Sequence, residues 1–145
     1  MKKITLLTIM VSFLVIFNAC DTLKNLPTNT SGGIFSLNGS WRLATTSDAN
    51  AQVGSVVTVS PAIASAFVKT IANNNYCYRI SDEAWRSISS QNGGGFSINF
   101  LASACNNSAV YKTGEITVLT NNQIRINTKT LTDVTLIQEW TRVVN

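Results

Sequence analysis

Three segments in the second half of the chain alternate apolar and polar residues with a period of two. They are residues 96–101, 110–118 and 123–128. A β-strand points successive side chains to opposite faces, so this period predicts strands with one face in a core and one in water. Asn121-Asn122 separates the last two segments, and asparagine tolerates the positive φ of tight turns, so we expect a hairpin there. The pattern limits the fold to antiparallel β-structure.

Further short segments in the rest of the chain carry strand signals. They are residues 40–45, 53–59, 76–80, 85–88 and 134–144. Ser60-Pro61 has the pattern of a helix N-cap followed by proline at the first helical position, so we predict one short helix near 61–71, with a strand as the alternative. Many short strands separated by turns indicate a sandwich or a barrel, and a closed barrel leaves no exposed edge. We therefore expect an all-β domain, an antiparallel up-and-down barrel.

The first twenty residues have the order of a bacterial export signal. Met1-Lys2-Lys3 is basic, residues 4–17 are almost all apolar, and Ala19 precedes Cys20. The apolar run of about 14 residues would span roughly 21 Å as a helix, whereas a bilayer core is roughly 30 Å thick. We therefore expect a cleaved signal rather than a transmembrane helix.

Phe17-Asn18-Ala19-Cys20 resembles a lipobox, the cleavage motif of bacterial lipoproteins, in the looser form seen in Bacteroidetes. The resemblance implies cleavage before Cys20, acyl chains such as palmitate attached through that cysteine, and a place in the cell envelope. Two or more acyl chains anchor a protein stably. An ordinary secretory signal with a coincidental cysteine is the alternative. Asp21-Thr22-Leu23 also resembles an O-glycosylation motif of Bacteroidetes, and whether Thr22 is modified stays open.

Processing divides the chain into a signal peptide at 1–19, a flexible tether at 20–36 and a domain at 37–145. The 11 Lys and Arg residues fall to 9 without Lys2 and Lys3, against 7 acidic residues, which leaves +2. These cations are scattered singly, so we expect no nucleic-acid partner. The membrane is the expected partner, and the outer membrane the expected location. Asp21 would favour the inner membrane under enterobacterial sorting rules, and the face of the membrane stays open.

Cys77 and Cys105 remain as a pair once Cys20 is acylated. A disulfide is the default for two cysteines in an exported chain. It would close a loop of about 28 residues and stabilise the fold by about 3 kcal/mol. Two free buried thiols or a metal site are the alternatives. Because the chain has no histidine, we expect no metal and no cofactor.

Residues suited to catalysis are few. Without histidine there is no Ser-His or Cys-His pair and no imidazole base. Asp82 and Glu83 are adjacent, so on a strand they would point to opposite faces, and Gly93-Gly94-Gly95 lacks the Lys-Ser/Thr of a phosphate loop. We expect a protein without enzymatic activity. An enzyme that uses only carboxylates and hydroxyls would need two acids in one cleft.

The two ends of the domain resemble the lipocalin and calycin barrels. Gly39-Ser40-Trp41 matches their first-strand motif, and Arg142 in the last segment matches the basic residue that packs across the tryptophan. Small Bacteroidetes lipoproteins of this type also carry stretches similar to Asp82-Glu83-Ala84-Trp85 and Trp140-Thr141-Arg142-Val143. The resemblance implies a structural, barrel-closing role for Gly39, Trp41 and Arg142. It further implies a small hydrophobic or amphipathic ligand in the barrel. A packed barrel with a structural or protein-interaction role is the alternative, its partner unknown.

Overall fold

The computed structural model describes residues 28–29, 33–48, 52–73 and 76–144. Two short strands, β1 (Thr28–Asn29) and β2 (Gly33–Ile34), form a small antiparallel sheet. The remaining strands are β3 (Gly39–Thr46), β4 (Val56–Ser60), β5 (Ser65–Thr70), β6 (Glu83–Ser90), β7 (Phe96–Ser103), β8 (Val110–Thr120), β9 (Gln123–Lys129) and β10 (Thr135–Arg142). No helix in the described part of the chain is long and apolar enough to cross a membrane.

Strands β3 to β10 form a closed barrel in which each strand pairs antiparallel with the next and β10 pairs with β3. The predicted all-β, antiparallel up-and-down barrel of the lipocalin-like type is therefore confirmed. Facing pairs such as Trp41 with Val57 and Ile116 with Ile126 are buried, and the chain neighbours of Ile116 and Ile126 are exposed. Strand β9 shows the alternation without interruption, because every second residue from Ile124 to Thr128 is buried.

Most of the predicted strands form, and the Asn121-Asn122 hairpin joins β8 to β9. The strand predicted at 76–80 is wrong, because this segment is irregular and connects β5 to β6. Cys77 in this segment and Ser81 directly after it have positive φ, which a regular strand does not allow. Its Tyr78 turns inward and joins the core.

The helix predicted near 61–71 is also wrong. Pro61–Ile63 forms a single 3₁₀ turn, and Ala64 then adopts a left-handed conformation that reverses the chain. Residues from Ser65 onward form β5, where Ala66 and Val68 point into the barrel opposite Val59 and Val57. The proline sets the φ of the turn as expected. Pairing with β4 and burial of alternate side chains outweigh the weak local preference for a helix.

The strand directions define two ends of the barrel. The closed end holds the start of β3, the Asn121-Asn122 hairpin and the end of β10. The mouth, at the opposite end, holds the β3–β4, β5–β6, β7–β8 and β9–β10 connections. Phe35, which the sequence analysis placed in the tether, is 2% exposed and lies against Trp41 and Phe96 at the closed end. The packed core thus includes Phe35, two residues before the predicted domain boundary at 37.

Candidate functional site

The barrel interior is filled by side chains from end to end. Trp85 and Trp140 meet at its centre with ring centroids 5.1 Å apart in an edge-to-face arrangement. Phe35 covers the closed end, and Tyr78 covers the mouth, where its hydroxyl donates to the carbonyl of Leu101. Among the described residues, a cavity beside Trp85 measures about 10 Å³, which is room for about one water molecule and not for an amphipathic ligand.

Gly39, Trp41 and Arg142 come together at the closed end. The guanidinium carbon of Arg142 lies 4.3 Å from the centroid of the Trp41 ring. Arg142 also donates to the carbonyls of Ser36 and Asn38, and through Nε to that of Asn121 at 3.1 Å. Partial burial lowers the pKa of this guanidinium. The Arg142 side chain thus connects β3, the segment before β3 that contains Ser36 and Asn38, and the β8–β9 hairpin.

Glycine is required at position 39 for two reasons. Its φ is +112°, in the region that L side chains rarely adopt. A Cβ placed there would also lie 3.1 Å from an Arg142 guanidinium nitrogen. The indole N–H of Trp41 donates to the carbonyl of Leu37 at 2.8 Å, so the first strand folds back on its own leading segment. These contacts give the closed end a structural role.

Cys77 and Cys105 form the expected disulfide. It links the β5–β6 connection to the β7–β8 connection across the mouth. A backbone bond from Ala104 N to the Tyr76 carbonyl, 2.9 Å long, lies beside it. The disulfide therefore holds the segment that carries Tyr76 and Tyr78. The predicted lipid-attachment residue, Cys20, lies outside the described residues.

A cleft of about 420 Å³ lies at the mouth, outside the packed interior. We call it the mouth cleft. Its lining consists of Ser47, Asp48, Tyr76, Thr130, Leu131, Thr132, Val134, Thr135 and Leu136. Leu131 and Val134 are 49% and 61% exposed, so the cleft presents apolar side chains to solvent. Ligand sites typically measure about 300–1,000 Å³ and combine apolar walls with a few polar groups, as this cleft does.

Asp48 and Tyr76 form the polar floor of the mouth cleft. The Tyr76 hydroxyl donates to the Asp48 carboxylate across the β3–β4 and β5–β6 connections. Burial and the neighbouring Asp48 raise the pKa of Tyr76 well above its usual value, so the phenol stays protonated. Asp48 is the one carboxylate among the lining residues, and none of those described residues is cationic. The cleft is therefore suited to the donor or cationic head of an amphipathic molecule.

The β9–β10 connection forms the outer wall of the mouth cleft as a tight, internally bonded turn. Thr130 N donates to the Val134 carbonyl at 2.8 Å, and Val134 N donates to the Thr130 hydroxyl at 3.2 Å. Lys112 on β8 donates to Asp133 at 2.7 Å and lowers the pKa of that carboxyl. Asp133 itself adopts a positive φ. Hydrogen bonds within the turn and the ion pair with Lys112 of β8 both hold this wall in place.

The adjacent acids Asp82 and Glu83 both line a second cleft, of about 210 Å³, together with Arg79 and Tyr111. The Asp82 carboxylate accepts the backbone N–H of Arg79 at 2.8 Å, and Glu83 accepts the hydroxyl of Ser65. Each carboxylate thus serves a turn or a strand contact of its own. Among the described residues, no three acids or cysteines lie close enough together to hold a metal ion.

Sequence reasoning missed the residues of the mouth cleft. Asp48 follows the first barrel strand, Tyr76 lies in a segment predicted as a strand, and residues 130–133 lie between the last two predicted strands. The order of the strands could have brought these residues together, because alternate connections of an up-and-down barrel lie at the same end. No protein-family model matches the chain, and no curated protein or solved structure is significantly similar to it.

Proposed function

We propose that this chain is a non-enzymatic, lipid-anchored protein of the cell envelope that binds a small amphipathic ligand at the mouth of its barrel. The observation that carries the ligand proposal is the mouth cleft of about 420 Å³ above an interior whose cavity is about 10 Å³. The ligand's apolar part would lie on Leu131 and Val134. Its polar head would lie at Asp48.

The anchoring proposal rests on the N-terminal sequence. A basic start, an apolar run and Ala19-Cys20 form the signal, and the Cys77–Cys105 disulfide agrees with an oxidising compartment outside the cytoplasm. The outer membrane is the proposed location. Intact mass spectrometry tests this directly, because the expected product starts at Cys20 and carries acyl chains. A Cys20→Ala variant should leave the membrane fraction, and retention of that variant in the membrane would contradict anchoring by lipid.

Ligand binding can be tested with short amphipathic probes that partition weakly into membranes. Hexylammonium, 1-hexanol and hexanoate share a six-carbon chain and differ in head-group charge. Calorimetric titration of the lipid-bearing protein in nanodiscs, with empty nanodiscs as the blank, should give affinities in that order because Asp48 attracts a cation and repels a carboxylate. Failure of all three probes to bind would contradict the ligand proposal.

A matched pair of variants assigns the head group to Asp48. Asp48→Asn keeps an oxygen that can accept the Tyr76 hydroxyl but removes the charge, so the three probes should bind more equally. Glu139→Gln removes a surface acid that pairs with Arg125 at 2.7 Å outside the mouth cleft, and it should leave the order unchanged. Equal responses of the two variants would contradict a head-group site at Asp48.

A structural or protein-interaction role is the second candidate. Two observations favour it: the packed interior, and exposed apolar side chains at the closed end, Ile63 and Val144. Exposed apolar side chains can mark protein contacts when they form a patch. Recovery of one stable, stoichiometric partner with the native protein, together with no binding of the six-carbon probes, would favour this role over ligand binding.

A further inference from the structure

Two of the residues that line the small cavity inside the barrel carry buried hydrogen-bond donors without a partner in the described part of the chain. The indole N–H of Trp85 and the side-chain amide nitrogen of Gln52 both belong to residues that line it, and neither atom bonds to an acceptor among the residues that the structure describes. Trp85 is fully buried and Gln52 is 2% exposed. Buried polar groups in proteins are almost always hydrogen-bonded, so two such donors beside one cavity indicate a bound acceptor.

The backbone of Gln52 holds its side chain towards the core. Its N–H donates to the Asn73 carbonyl at 3.2 Å, and its carbonyl accepts from Ser55 N at 2.9 Å. Gln52 also has a φ of 58°, a backbone conformation that residues other than glycine adopt at a cost in free energy. The fold therefore maintains a strained residue whose amide is directed inward. A strained, buried polar residue of this kind suggests a binding role.

A third polar atom at the cavity can complete the coordination of a small molecule. The Ser55 hydroxyl donates to the Ala72 carbonyl at 3.2 Å and accepts from Ala72 N at 2.8 Å. A hydroxyl oxygen has two lone pairs, so one acceptor position remains on Ser55. A guest could thus accept from Gln52 and Trp85 and donate to Ser55, which meets the two to four polar partners that a buried water requires.

We propose that this cavity is a binding site for one small, uncharged hydrogen-bond acceptor, namely a water molecule held by Gln52, Trp85 and Ser55. A volume of about 10 Å³ admits one such molecule. None of the described lining residues is cationic, and burying an unpaired anion is far more costly than burying water. The water joins the β3–β4 connection, which also carries Asp48, to the centre of the barrel.

The three tryptophans provide an internal control for the test. The indole N–H of Trp41 donates to the Leu37 carbonyl, and that of Trp140 donates to Gln138 Oε1 at 3.1 Å. Water-selective NOE and ROE spectra of the oxidised full chain in micelles should show a direct water contact at the Trp85 indole proton, and at neither of the others. The Trp85 signal is assigned by its loss in Trp85→Phe. No contact at Trp85, or equal contacts at all three indoles, would overturn the proposal.

Two variants test the role of Gln52. Gln52→Met keeps the side-chain length and removes the donor, so the Trp85 water contact should weaken several-fold. Gln91→Met makes the same change at an exposed position that does not line the cavity, so it should leave the Trp85 contact unchanged. A full Trp85 contact in folded Gln52→Met would overturn the assignment of Gln52. If that variant does not fold, the wild-type spectra still decide the proposal.

A bromide titration separates water from a halide as the bound acceptor. Both would accept from the two donors, but only bromide would move the Trp85 indole proton along a saturable curve. We expect no such curve in the wild-type protein. A saturable shift confined to Trp85 would assign the site to an anion and overturn the proposal of an uncharged guest.

Discussion

The indole of Trp85 on β6 packs edge-on against the indole of Trp140 on β10, across the centre of the barrel. Both side chains are buried, and together they occupy the space that a ligand inside the barrel would need. Edge-to-face aromatic pairs of this kind add about 0.5–1.5 kcal/mol beyond their buried area. The mouth cleft, at about 420 Å³, has room for a small molecule, whereas the cavity beside Trp85 measures about 10 Å³.

Replacing Trp85 with alanine should remove this packing. The expected loss is about 3–5 kcal/mol of the free energy of unfolding, because a large side chain is lost and a cavity remains. Ile137→Ala, on the outer face of β10 where the side chain is 41% exposed, should cost far less. Urea unfolding followed by circular dichroism measures both. Similar losses for the two variants would contradict a tightly packed interior.

Replacing Arg142 with lysine should weaken the closed end although the charge is kept. Lysine cannot supply the planar fork that donates to Ser36, Asn38 and Asn121 while stacking on Trp41. We expect a loss of about 1–3 kcal/mol in the free energy of unfolding. Arg125→Lys, at an exposed pair with Glu139, is the control and should cost about 0–1 kcal/mol. An Arg142→Lys variant as stable as the wild type would show that the fork is dispensable.

The sequence was sufficient to predict the barrel and its closed end. The period of two in β8 and β9 comes directly from burial of one face, whereas β7 is buried on both faces from Phe100 to Ser103. Gly39, Trp41 and Arg142 could be matched because each carries a distinctive side chain or backbone requirement. Local signals failed between residues 61 and 80, where Ser60-Pro61 suggested a helix and Tyr78 suggested a strand. There, pairing with β4 and capping of the mouth determine the structure.

The mouth cleft could not be predicted from local patterns. Asp48, Tyr76 and the 130–134 turn are far apart in sequence and individually resemble ordinary loop residues. Their approach depends on the register of the barrel and on the disulfide beside Tyr76. Burial of Phe35 was missed for a related reason, since one aromatic after a glycine pair gives no periodic signal.

Removing the disulfide should loosen the mouth more than the closed end. A Cys77→Ser, Cys105→Ser double variant should lose about 3 kcal/mol, because the unfolded chain regains the freedom of a 28-residue loop. Hydrogen exchange should become faster at residues 76–80 and 104–108 and stay slow at β9. Uniform acceleration across the barrel, or none near Tyr78, would contradict a local stapling role.

Acidification should release the outer wall of the mouth cleft. Lys112 lowers the pKa of Asp133 below its usual value of 3.8, so their bond stabilises the fold above that pH and is lost as pH falls through the lowered value. The backbone amide signals of residues 130–134 should therefore shift with a midpoint below 3.8. Asp133→Asn should show a disturbed turn already at neutral pH. A wild-type midpoint at or above 3.8 would contradict the ion pair.

The most direct measurement for the account as a whole is an NMR titration of the lipid-bearing protein in nanodiscs with hexylammonium. Binding at the mouth cleft predicts saturable shifts for Asp48, Tyr76, Leu131 and Val134, while the interior methyl groups of Ile124 and Ile126 stay unmoved. Saturable shifts centred on Ile124 and Ile126, or no saturable shift at the mouth, would contradict it.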